Sequence, residues 1–229
     1  MGFLKRFLKN TFRDGPLPHG VSSFDAVSEH QFEEHLKVAR YGSFTLTDAV
    51  RPSYDLQVIP EAGFRYDIYS DENTLVEIPV LMASASREML MDIFMDLMTP
   101  LGDIVDVVLE TSHERGNGTH EDLCRDHIDR PVLESILWDF EDLLLNDGCT
   151  GVAVLNPQLP LELQFDEHKL LIMYGEDVKR FESVLRRYGL KENENLRFIS
   201  EAEHVHSSSE NFLDKFEALR TDLGIDEFS

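Results

Sequence analysis

Apolar and polar positions follow two periods along this chain, and the same order of periods occurs twice. Phe64-Arg65-Tyr66-Asp67-Ile68-Tyr69 reads as a strand, Asp71-Glu72-Asn73 as a turn, Leu75–Met82 as a second strand, about Arg87–Met98 as a helix, and Ile104–Leu109 as a strand. Leu161–Phe165, the turn Asp166-Glu167-His168, Leu170–Tyr174, a helix over about Asp177–Tyr188 and Leu196–Ser200 repeat that order. The turns (Asp-Glu-Asn-Thr-Leu, Asp-Glu-His-Lys-Leu) and the exits (Glu110-Thr-Ser-His113, Glu201-Ala-Glu-His204) match as well. The pattern predicts an internal duplication: two tandem, diverged halves of roughly α-β-β-β-α-β order, an α+β fold with partly antiparallel sheets. The halves are expected over 28–128 and 129–229, after an N-terminal segment 1–13 and a linker 14–27.

Other elements fill the frame. Ser28 caps a helix to about Tyr41 that ends at Gly42; Phe44–Thr47 and Tyr54–Ile59 read as short strands. Asp129-Arg130-Pro131 starts a helix with Val132, Leu133, Ile136, Leu137, Phe140, Leu143 and Leu144 inward, ending at Asn146-Asp147-Gly148. Gly151–Leu155 reads as a strand and about Glu210–Leu223 as the last helix.

The first thirteen residues have a different pattern. On a helical wheel Phe3, Leu4, Phe7, Leu8 and Phe12 occupy one side, and Lys5, Arg6, Lys9 and Arg13 the other. This predicts a basic amphipathic helix, docked on a partner or on the protein itself, or held at a membrane surface.

Two helices carry more apolar surface than one core contact covers. From Met89 to Met98 the apolar residues span about 240° of arc, leaving Asp92 and Asp96 on the polar side. Either the helix is sandwiched, or Met91 and Met95 form an adaptable partner-binding surface. Trp138 and Leu145 lie opposite the Leu/Phe stripe of their helix, among Glu134, Glu141 and Asp142, as an interface anchor would.

The 229 residues carry a formal net charge of −23 and are 42% hydrophobic. That charge repels phosphate backbones, so nucleic acid is excluded as a partner of the body and a protein surface, or a second copy of the chain, is favoured. Two cysteines, Cys124 and Cys149, are too few for a disulfide framework and point to a reducing, cytoplasmic setting, with attachment to the inner face of the membrane through the N-terminal helix as the alternative.

The sequence contains no Gly-rich phosphate loop, no Gly-x-Ser-x-Gly and no His-Glu-x-x-His, and no cofactor is expected. If Thr119–His127 were helical, His120, Cys124 and His127 would share a face, with His113 as a fourth ligand for zinc. Arg115-Gly-Asn-Gly reads as a loop, so incidental histidines are the expectation and no metal is assigned. His113 and His204 mark matching strand exits, with His206 beside the second, and a pseudo-twofold would bring such ends to a shared cleft. Carboxylate pairs such as Asp71/Glu72, Glu141/Asp142 and Asp166/Glu167 read as solubilising. The composition and the surplus apolar residues together favour a non-enzymatic adaptor; attachment to a membrane and a metal-dependent enzyme built on His113–His127 are the alternatives.

Overall fold

A computed structural model describes residues 11–17, 20–70, 77–113 and 121–225. The N-terminal third supplies β1 (Thr11–Asp14), α1 (Glu29–Leu36), β2 (Arg40–Tyr41), β3 (Phe44–Thr45) and β4 (Val50–Pro52). Then come β5 (Gly63–Ser70), β6 (Glu77–Ser84), α2 (Arg87–Met98), β7 (Ile104–Thr111), β8 (Glu121–Asp129), α3 (Arg130–Asp139) and α4 (Glu141–Asn146). The remainder is β9 (Thr150–Leu155), β10 (Leu161–Phe165), β11 (Leu171–Gly175), α5 (Lys179–Arg187), β12 (His204–Ser207) and α6 (Glu210–Asp222). The fold is α+β, with antiparallel sheets.

Seven strands form the main sheet in the order β5-β6-β11-β10-β9-β7-β8. Strand alternation sends Leu81, Val107, Leu109, Val152, Val154, Leu163, Phe165 and Met173 to one face, where all five helices from α2 to α6 contribute to a single core. α2 is the centre of that core. Leu90, Met91, Ile93, Phe94, Met95, Leu97 and Met98 are all buried, with the Phe94 ring 5.0 Å from that of Phe165. On its polar side Asp96 accepts from Tyr188 Oη at 2.9 Å. The wide apolar arc of α2 is therefore covered by the protein itself.

On the opposite face the chain over 190–200 covers only part of the sheet, burying Val80, Ile172, Leu196 and Phe198 together. The strands nearer β7 keep carboxylates there, Glu110 and Glu162 among them.

A second sheet, β1-β12-β4, is antiparallel with β12 at its centre. It joins the main body through Ser207, whose carbonyl accepts from Gly148 N–H at 2.7 Å while its N–H continues the β12–β4 pairing onto Ala49 O at 2.8 Å.

Several expected elements change identity. The basic amphipathic helix does not reach Phe12 and Arg13: Thr11–Asp14 is a strand paired with Ser207–His204. Pairing to an existing strand satisfies backbone groups that an isolated helix of about ten residues holds only marginally in water. Phe3, Leu4, Lys5, Arg6, Phe7, Leu8 and Lys9 lie outside the described residues. Glu121–Asp129 is a strand paired with β7 rather than a helix: the ladder to β7, interrupted by one bulge, sets Leu123 opposite Leu109 and Ile128 opposite Val105 and completes the sheet edge. The helix expected up to Asn146 breaks at Phe140 (φ −110, ψ 20) into α3 and α4. Tyr54–Ile59 is not a strand; Val50–Pro52 is.

The echo extends through the hairpins β5–β6 and β10–β11 and the helices α2 and α5, then ends. Ile104–Thr111 is a strand of the main sheet, whereas Leu196–Ser200 runs outside it into a 3-10 turn at Ile199–Glu201. β6 and β11 pair, so the two stretches share one sheet.

Candidate metal centre

Two short segments build the site. β12 alternates, so His204 and His206 project from the same face two residues apart. The β10–β11 turn supplies the third ring: Asp166 Oδ1 accepts from Leu170 N–H at 2.8 Å, and Lys169 takes a left-handed conformation (φ 64). That turn delivers His168 against β12.

The three imidazoles meet through their Nε2 atoms. His168 Nε2 lies 3.1 Å from His204 Nε2, and His204 Nε2 lies 2.9 Å from His206 Nε2. All three ring-centroid separations are 4.8 Å. Every Nδ1 is committed elsewhere: His204 Nδ1 donates to Ala202 O at 2.8 Å, His206 Nδ1 to Gly148 O at 2.9 Å, and His168 Nδ1 to Asp166 Oδ2 at 2.8 Å. A carbonyl oxygen only accepts, so the proton of each neutral ring is on Nδ1 and the lone pair on Nε2. Three lone pairs then face one another. A single proton satisfies one such contact; a dication satisfies all three.

The geometry suits a small first-row ion. Tetrahedral Zn–N bonds of about 2.0–2.1 Å place ligand nitrogens roughly 3.3 Å apart, a few tenths of an ångström beyond the separations found. Ring N–H groups held by carbonyls and a carboxylate are the usual outer support of metal-ligating histidines.

Burial and charge keep the inner rings neutral. Burial, then the neighbouring His168 and His204, push His206 down to about 2. Burial likewise lowers His204. Burial also opposes charge on His168, but Asp166, by charge and hydrogen bond, carries its pKa above the ordinary value.

Two glycines permit the approach of the surrounding chain. A Cβ on Gly148 would meet Ala49 O at 2.5 Å and Ser207 O at 2.9 Å. Gly15 has φ +89, and a Cβ there would meet Ala202 O at 2.2 Å and His204 Nδ1 at 2.9 Å, so only glycine lets β1 pass this close to the ring.

Carboxylates complete the surroundings. Asp14 of β1 and Glu167 of the turn have ligand atoms within 4.8 Å of each other and of His206. Glu167 Oε2 accepts from Ser112 Oγ at 3.1 Å. With Glu110, Thr111, Gly151, Asp166 and His168, Glu167 lines a cavity of about 190 Å³. Three neutral imidazoles would leave a zinc ion its full charge and a fourth position, a donor set that would acidify a bound water, with the Glu167 carboxylate nearby.

The residues singled out from sequence are placed differently. Met91, Met95 and Leu145 are 3%, 8% and 5% exposed in the core. Trp138 is 41% exposed on α3. In β1, Arg13 pairs with Asp25 at 3.4 Å and stacks over Phe24 at 5.2 Å. Cys124 and His127 are exposed on β8, not on one helix face, His120 lies outside the described residues, and His113 joins Asp147 instead, at 3.2 Å. Asp166 and Glu167, read as solubilising, belong to the histidine site. The available signal was His204-Val205-His206, a pair at strand spacing. His168 carried no comparable mark.

No protein-family model, curated protein or solved structure matches the chain.

Proposed function

We propose that the protein binds a zinc-class divalent cation through His168, His204 and His206. The observation that carries this reading is the convergence of three Nε2 lone pairs whose Nδ1 atoms are all engaged with acceptors. Three imidazoles suit zinc and its first-row neighbours. The ion ties the β10–β11 turn of the main sheet to β12 of the small one, and Asp14 and Glu167 offset its charge beside the acidic cavity. Metal analysis of chelator-treated protein reloaded with zinc tests it. One tightly held equivalent that disappears in His168→Ala and in His204→Ala is expected; a zinc content unchanged from wild type in both variants defeats the reading.

A second, compatible reading is docking of a protein partner or a second copy. It is supported by the edge strand β5, where Ile68 is 59% and Tyr69 52% exposed, and by Trp138 with the half-exposed Val132 on α3. Light scattering after size exclusion tests the second-copy form: a dimer that Ile68→Lys dissociates supports it, and a monomer at high concentration removes it.

A further inference from the structure

A separate constellation lies next to Gly148, and the histidine triad does not use it. Asp147 and Cys149 flank that glycine in the connection between α4 and β9, while His113 follows the end of β7. One ligand atom from each, a carboxylate oxygen, a thiol sulfur and an imidazole nitrogen, lies within 4.8 Å of the others.

Asp147 is the unusual member. Its side chain is 0% exposed, its Oδ2 accepts from Thr150 Oγ1 at 2.5 Å and lies 3.2 Å from His113 Nε2, and its Oδ1 is buried with no hydrogen-bond partner among the described residues. Buried carboxylate oxygens are ordinarily paired, because the water they give up must be replaced. The buried lysine nearby, Lys169, donates its Nζ to Thr150 O at 2.7 Å and stands over the Phe165 ring.

We propose that His113, Asp147 and Cys149 form a second, sulfur-containing site for a zinc-class dication, with the fourth position left to water or to Ser208, whose Oγ is 3.1 Å from His113 Nε2. The 3.2 Å between His113 Nε2 and Asp147 Oδ2 matches the edge of a tetrahedron with bonds of about 2.0–2.2 Å. Charge balances too: the Asp147 carboxylate and the Cys149 thiolate neutralise the ion, while burial lowers the pKa of the neighbouring Lys169 and so disfavours a further positive charge beside it. Binding exchanges one proton for the metal, the thiol hydrogen of Cys149 passing to solvent as the sulfur–metal bond forms. Burial and the adjacent Asp147 otherwise push this thiol up to about 11, which argues against a free nucleophilic thiolate.

Cobalt(II) distinguishes the two sites, because only the second has a sulfur ligand. Chelator-treated protein is titrated with cobalt(II) under reducing conditions and followed by absorbance. Two equivalents are expected, one of them with a near-ultraviolet thiolate-to-cobalt charge-transfer band. The band disappears in Cys149→Ser and persists in Cys124→Ser and in His168→Ala. Absence of the band in the wild-type chain, or its survival in Cys149→Ser, overturns the proposal. One equivalent without the band leaves the triad standing and removes the second site; one equivalent with the band does the reverse.

Discussion

The Nδ1 of His206 donates to the carbonyl of Gly148 at 2.9 Å, while the Gly148 N–H donates to the carbonyl of Ser207 at 2.7 Å. The glycine thus grips β12 at two successive residues and fixes the rotation of the His206 ring. Its Nε2 has no freedom to turn away from His204 and is held pointing inward, toward the position a cation would take.

Gly148→Ala tests this support directly. A methyl group there meets two backbone oxygens, and backbone yields less readily than a flexible side chain. Forcing such contacts costs roughly 1–3 kcal/mol. The expected result is a fall of that size in unfolding free energy by denaturant titration, with weaker zinc binding. An unchanged denaturation midpoint would mean that the connection relaxes and that Gly148 does not position the ring.

Zinc binding also predicts a ligand-dependent melting temperature. An ion that binds the folded chain alone, at about a thousand times its dissociation constant, adds roughly 4 kcal/mol. Chelation should therefore lower the melting temperature of the wild-type protein by several degrees. The same chelator should shift His204→Ala by clearly less. Equal shifts in both proteins would place the effect elsewhere.

Much of the architecture was legible because local patterns and tertiary demands agree. The β10–β11 hairpin, the Ser28 cap of α1 and the last helix α6 follow from alternation and capping residues, to which the structure adds the reciprocal Gln31 and the Ser209 cap. Glu121–Asp129 misled because its histidine and cysteine spacing also fits a helix, and the choice was made by pairing with β7, a partner distant in sequence. The metal centre was illegible for the same reason. His168 and His204 are 36 residues apart, and only docking of the β10–β11 turn against β12 brings their nitrogens to 3.1 Å. A periodicity search sees neither that docking nor the carbonyls of Ala202 and Gly148 that orient the rings.

The buried histidines also set the pH response of the metal-free protein. The folded-state pKa values of His204 and His206 lie below the ordinary 6.5, so between those values the unfolded chain binds protons that the folded chain refuses. Stability supported by these rings is present above about pH 6.5 and is lost as pH falls, at about 1.4 kcal/mol per pH unit for His206, with His204 acting in the same direction. His168, whose pKa is raised, acts in the opposite sense: its contribution is full below about 6.5 and fades as pH rises through its folded value. Below pH 6.5 His168 is protonated in both states and adds no slope, so the chelated protein should lose stability from pH 6.5 toward 4.5. His206→Asn should flatten that slope by about 1.4 kcal/mol per pH unit, measured by denaturant titration at stepped pH. Parallel slopes would mean that His206 gains a proton in the folded state.

Glu110 offers the converse test on the acidic side of the cavity. Burial first, then Asp122, Asp166, Glu162 and Glu167, raise its carboxyl from 4.5 to about 6. A raised folded-state pKa means that the fold favours the neutral acid: the contribution is present below about 4.5 and is lost as pH rises through about 6. At pH 8 the ionised Glu110 therefore opposes folding. The shift corresponds to about 2 kcal/mol, of which solvent screening at this half-buried position leaves about 1–2 kcal/mol. Glu110→Gln keeps the shape and removes the charge. The variant should be more stable than wild type by that amount at pH 8, with the difference shrinking to nothing by about pH 4.5. Zinc at the neighbouring centre supplies positive charge to the same cluster, so loading the wild type should lower the Glu110 pKa and shrink the advantage of the variant. Fluorescence-monitored urea unfolding of both proteins, with and without zinc, at pH 4.5 and 8 reads all of these differences. An advantage at pH 8 that zinc leaves untouched would place the ion away from the cavity, and so away from His168.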